Sequence, residues 1–282
     1  MTIGAGLIIA RFVHFLALSV LLGGALFPFY GLARSDGGRQ QWLRLLLIAA
    51  AVLSWASGLV WFALMLPDPE FLSIWLFRFL LATVLVLVLL GKRATGRRLQ
   101  AILLGSLILL GSIALTGNAG SNEGAFGFQH RLADAVHLVA SGVWIGALVV
   151  FSRLMTMSVR DDREDYLRSV HDALERFSGV GTLVVASLTL SGMVNPGFFS
   201  ASLSSAYGQL LLAKLVVFVM MLGLAGANRY WLTPKLSATL KSGGQLRTAI
   251  WALRASILME TALGVLVLAM VAWLGVLPPP AF

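Results

Sequence analysis

The chain has 282 residues, 59% of them hydrophobic and only 12% charged, with a net charge of +9 and no cysteine. A soluble domain carries about 25% charged residues, so a soluble enzyme is excluded. The missing thiols rule out disulfides, thiolate metal sites and iron–sulfur clusters. The positive charge belongs with basic loops held against anionic lipid, and nucleic-acid binding is not expected.

Eight apolar segments follow one another, each near the length that crosses a ~30 Å hydrocarbon layer. They are residues 3–30, 42–66, 74–90, 99–116, 130–151, 177–194, 207–227 and 250–277. Pro67 and Pro69, the Gly-rich stretch 117–127, Pro196-Gly197, Pro234 and Pro278 to Pro280 punctuate them. The first is read as a retained span, because Arg11 and His14 interrupt it and its start carries no charge. The expected fold is an all-α polytopic membrane protein, one domain over residues 1–282.

Basic residues fix the orientation. Arg34, Arg39 and Arg44 mark the first connection, and Lys92, Arg93, Arg97 and Arg98 the third. Arg153, Arg160, Arg163, Arg168 and Arg176 mark the fifth, and Arg229, Lys235, Lys241 and Arg247 the seventh. The even connections carry Asp68, Glu70 and Glu123, or no charge. The positive-inside bias therefore places both termini and the even connections outside. Residues 160–175 mix both signs and predict a short surface helix, on which His171 is a solvated residue rather than a ligand.

A weak repeat joins spans one and five. Val13-His14-Phe15-Leu16-Ala17 through Gly23 aligns with Val136-His137-Leu138-Val139-Ala140 through Gly146. This fits two parallel four-helix halves, residues 1–118 and 128–277.

Ionisable groups within a span cost about 2.5–3.5 kcal/mol on insertion scales. In span five, His130, Asp134, His137, Ser141 and Trp144 fall within ~40° of one helical line. This polar stripe is expected to face protein. Imidazole with carboxylate suits Cu(II), Zn or similar ions. His130 and His137 lie about 10 Å apart along the axis, so two stations on a path fit as well as one closed site. His14 stands at the depth of His137, and packing of spans one and five would give a His14/Asp134/His137 cluster. Glu260, deep in the last span, is an inner station for a cation or proton, or half of an ion pair with Lys214. Arg11 and Arg78 also lie within spans. Met65, Met193 and Met259 lie in or beside spans; thioethers suit Cu(I), although packing is the commoner role.

At this point Thr116-Gly117-Asn118-Ala119, Asn122-Glu123-Gly124 and His130, His137, Trp144 and Gly146 form a pattern. With Arg176-Phe177-Ser178, Ser191-Gly192, Tyr207-Gly208-Gln209-Leu210-Leu211, Lys214, Asn228-Arg229-Tyr230, Glu260 and Gly264, the chain resembles the copper resistance protein D family. The resemblance implies a multi-pass protein of the bacterial inner membrane that takes copper inward. It also implies a small periplasmic copper-binding partner of the CopC type. His14, His130 and His137 would handle the metal, with Asn118, Glu123, Met193, Lys214 and Glu260 along the path. Asn118 stands where members often carry histidine, and Asp134 where some do. Asp134 remains a competent ligand and Asn118 a weak one.

Copper import through a His/Asp-lined bundle is thus the leading expectation, as Cu(I) or Cu(II). The alternative is a b-type haem or quinone electron-transfer protein with His14 and His137 as axial ligands. No phosphate loop, zinc-protease helix or serine elbow is present, and no enzymatic activity is expected.

Overall fold

A computed structural model describes residues 2–31, 37–66, 68–91, 96–116, 124–158, 164–194, 204–242 and 245–278. Those residues form helices without a strand, the arrangement that satisfies every backbone polar group inside lipid. Eight helices are long and apolar enough to cross a membrane. Spans one to four are built on Thr2–Leu26, Gly37–Met65, Leu72–Leu90 and Gly96–Gly111. Spans five and six are Gly124–Ser158 and Glu164–Val194. Span seven starts at Ala206–Ala227, and span eight is Leu246–Leu274.

Two helices outrun the apolar segments that announce them. The surface helix expected at residues 160–175 is not separate: from Glu164 onward it is continuous with span six. Tyr166, Leu167, Val170 and Ala173 bury one face of this extension, while Asp165, Arg168 and Glu175 stay exposed. Its Tyr166 hydroxyl donates to the Leu154 carbonyl at 3.0 Å, tying it to span five. Span seven also runs on, through Pro234 to Ser242, where the sequence suggests a break. A π-helical turn at Asn228–Leu232 precedes Thr233–Ser242. Proline lacks an N–H and crowds the carbonyl four residues earlier, here Tyr230. A wider turn around Tyr230 absorbs both defects without ending the helix.

Spans one and five form the centre. Leu18, Leu21, Leu22 and Ala25 of span one are fully buried, as are Val150, Phe151 and Met155 of span five. Span one packs on spans two, four, five and eight; span five packs on spans one, four, six and eight. The two cross at Gly23 and Gly146. A Cβ on Gly23 would lie 2.5 Å from the Gly146 backbone, and one on Gly146 would collide with the Ser19 carbonyl oxygen. The backbones therefore touch, as small residues allow between helices in lipid. Spans three, six and seven lie outside and present Leu80, Leu87, Leu183, Leu190 and Val219 to the surroundings. At the end of span three the Arg44 guanidinium donates to the carbonyls of Leu89, Leu90 and Gly91, at 3.3, 3.1 and 2.9 Å. This caps the negative end of that helix.

Candidate functional site

The stripe on span five faces protein, but its members have different neighbours. His130 and Trp144 are buried, and Asp134 and His137 are half-buried. The Nδ1 of His137 is 3.0 Å from Ser191 Oγ on span six. Ser191 donates its own proton to the Ser187 carbonyl at 2.6 Å. Its Oγ therefore accepts from the His137 Nδ1–H, and the Nε2 lone pair is the ring's free ligand position. Asp134 lies within electrostatic reach of His130, Lys214 and Tyr207, and Lys214 also acts on His137. Spans five, six and seven thus gather His130, Asp134, His137, Ser191 and Lys214 near the end of the bundle that carries both termini.

His14 does not join them. Its Nδ1 is 2.9 Å from the Ser54 carbonyl and 3.3 Å from Ser57 Oγ, both on span two. Because a carbonyl only accepts, Nδ1 carries the proton and Nε2 the lone pair. Gly58 leaves room for this ring: a Cβ there would come within 3.1 Å of His14 Cε1. Gly192 is the counterpart beside His137, at 3.8 Å. Spans one and five do pack together, yet each histidine turns outward to its own half. The expected His14/Asp134/His137 cluster is therefore not assembled. The haem alternative gains no support: each ring is bonded to its own neighbouring span, His14 to span two and His137 to span six.

Glu260 is 2% exposed and is bonded at both carboxylate oxygens. Trp144 Nε1 donates to Oε1 at 2.8 Å, and Asn228 Nδ2 donates to Oε2 at 2.8 Å. The pair with Lys214 is not formed; Lys214 is set toward Asp134. Asn228 opens the π-helical turn, and its Oδ1 is buried without a partner. The next residue, Arg229, bonds span six at the Ser178 carbonyl (3.1 Å) and at Thr182 Oγ1. The turn thus aims two successive side chains at two different helices. The sequence reading missed Asn228 as a partner of Glu260; the available signal was a polar amide in a span, six residues before a proline.

The remaining path residues divide. Met193 is 57% exposed, and Met65 and Met259 are also on the outer surface, so none lines the interior. Asn118 and Glu123 lie outside the described residues. Among the described residues, the one group of three carboxylate or imidazole ligands within ion-sharing distance is His171, Asp172 and Glu175, with ligand atoms inside 4.8 Å. It sits on the exposed extension of span six, where Asp172 and Glu175 need no ion to be solvated. The groove of about 640 Å³ beside span five is lined by Val139, Val143, Leu183 and Val184 and is apolar.

Comparison with known proteins finds likeness along nearly the whole chain. The profile of copper resistance protein D matches residues 171–274, and that of the copper resistance protein D-like N-terminal domain matches residues 1–68. The chain is 33% identical over 303 residues to copper resistance protein D of Pseudomonas syringae pv. tomato, covering 96% of each. It is 30% identical over 294 residues to the inner membrane protein YebZ of Escherichia coli K12, covering 95% of this chain and 97% of that protein. A shorter likeness, 31% over 140 residues, joins it to the copper transport protein CutJ of Bacillus subtilis 168, covering 46% of this chain and 24% of that protein. No solved structure matches the chain. A likeness that runs nearly the whole length of both chains leaves one conclusion: the chain belongs to the copper resistance protein D family.

Proposed function

We propose that this protein handles copper in the bacterial inner membrane and carries it inward from the side that holds both termini. His130, Asp134 and His137 take the ion, and Glu260 is the deeper station. The observation that carries this reading is the setting of His137. Its Nδ1–H is fixed on Ser191 Oγ, which leaves Nε2 as the ligand atom. Metal-binding histidines are commonly held through their other nitrogen in this way. Asp134 adds a carboxylate that offsets the charge of Lys214 beside it. The names of the relatives in Pseudomonas syringae and Bacillus subtilis supply copper as the cargo.

His14 is left out of this path. Arg11 and Arg78 both lie within its electrostatic reach, and two guanidiniums oppose a cation. The orientation rests on the basic residues of the odd connections. A small periplasmic copper-binding partner of the CopC type would deliver the ion on the termini side.

The two-halves reading has support in the same region. The sequence offset that pairs His14 with His137 also pairs Gly23 with Gly146, and those glycines touch. Ser57-Gly58 stands behind one histidine as Ser191-Gly192 stands behind the other. On this reading residues 1–118 and 128–277 would be two parallel halves that meet where spans one and five cross.

The test is copper accumulation in cells carrying His137→Ala at wild-type protein level. A fall is expected, and unchanged uptake removes His137 from the mechanism. Copper movement into vesicles containing the purified protein separates transport from binding alone.

A further inference from the structure

Around His14 the first half gathers hydrogen-bond donors and no matching charge. The Arg11 guanidinium carbon lies 4.7 Å from the Trp61 ring centre, and that of Arg78 lies 5.1 Å from the Trp75 ring. The two indoles meet edge to face at 5.5 Å, and His14 meets Trp61 at 5.5 Å. Trp61, Trp75 and Arg78 are 4%, 2% and 4% exposed. Arg78 is anchored by Nε to Ser112 Oγ at 3.0 Å, and by Nη2 to the Ser112 carbonyl at 2.5 Å and Thr116 Oγ1 at 2.8 Å.

The other donors have nowhere to go. Arg11 Nε, Trp61 Nε1 and Trp75 Nε1 are buried without an acceptor. Among the described residues no carboxylate pairs with either guanidinium. The indole faces meet part of the positive charge, but their N–H edges add to the demand for an acceptor. Two cations and two unpartnered N–H groups inside a span call for a bound negative group. The site lies near the termini end of the bundle, at the last turn of span two and the first turn of span three. Arg11, partly exposed and packed against Gly275 at the end of span eight, is its outer edge.

We propose that Arg11, Arg78, Trp61 and Trp75 form a phosphate-binding site. The phosphate belongs either to a phospholipid of the termini-side leaflet or to free inorganic phosphate. Planar guanidinium forks match phosphate oxygens, and indole N–H groups supply further donors. This assignment is independent of the copper path, whose residues lie on spans five to eight.

The experiment follows thermal unfolding of the purified, delipidated full-length protein in detergent at constant ionic strength. One arm adds inorganic phosphate against chloride; the other adds phosphatidylglycerol against an uncharged glycolipid. The unfolding midpoint is expected to rise by several degrees in one arm, which names the source. The rise disappears in Arg11→Gln and shrinks in Trp61→Phe. Among the described residues Arg11 makes no hydrogen bond, and Trp61→Phe keeps a ring, so both variants are expected to retain the bundle. No rise in either arm overturns the proposal. So does a rise that chloride or the glycolipid reproduces, or one that both variants retain.

Discussion

Trp144 and Glu260 join the central span five to span eight through one hydrogen bond of 2.8 Å deep in the bundle. Asn228 takes the second carboxylate oxygen at the same distance, so three helices meet on one side chain. Trp144→Phe keeps the packing and leaves one oxygen of a buried carboxylate without its donor. A loss of about 1–3 kcal/mol is expected, read as a lower unfolding midpoint in detergent. Glu260→Gln puts an amide N–H₂ toward one of the two donors and is expected to destabilise similarly. It should also lower copper accumulation. Accumulation at the wild-type level, with the protein folded and equally abundant, removes Glu260 from the path.

Ser191 touches no cargo in the proposed path, yet it sets the His137 ring. Ser191→Ala frees Nδ1 and lets the imidazole change tautomer or rotate. Loss of such a supporting partner typically weakens metal sites by about 10–100-fold. Copper uptake should fall, while Ser191→Thr, which restores a hydroxyl, should recover much of it. Equal uptake in the alanine and threonine variants would count against the positioning role.

His14 and His137 should behave differently despite their sequence match. His14 is bonded to span two and lies within reach of two guanidiniums. His14→Ala is expected to lower the unfolding midpoint, through loss of buried bonds to Ser54 and Ser57. Its copper uptake per folded molecule should stay close to wild type, whereas that of His137→Ala falls. Parallel loss of uptake in both variants would return His14 to the path.

The glycine crossing predicts opposite signs for one substitution at two places. Gly146→Ala drives a methyl into the Ser19 carbonyl and the Gly23 backbone. Overpacking of this kind costs about 1–3 kcal/mol or more. Gly179→Ala meets nothing within 4 Å, and removing a mid-helix glycine is worth about 0.5–1 kcal/mol of stability. Circular dichroism melts of the two purified variants check both directions.

Sequence carried the eight spans because lipid imposes a length and a composition on each of them. It also carried the polar stripe on span five, since helical spacing is fixed whatever the helix packs on. Partner choice was not legible. His14 and His137 share depth and local sequence, but where each ring turns depends on how its helix is rotated against spans two and six. The same holds for Glu260. Lys214 was the charged residue the sequence offered it, and nothing local to it names Asn228 as the alternative. The continuity of span seven through Pro234 was hidden for another reason. A proline reads as a stop unless a wider turn precedes it, and no residue type announces a π-helical turn.

The bare contact between Gly23 and Gly146 also limits how the molecule moves. With no side chain between the two backbones, a Cβ at Gly146 would meet Ser19 and Gly23 at once, so the contact is of main chain on main chain. Tilting about that point separates nothing there. Used as a fulcrum, the crossing would open the bundle at one membrane face as it closed the other. The same geometry would let a single rocking motion expose the His137 end and the Glu260 end in turn.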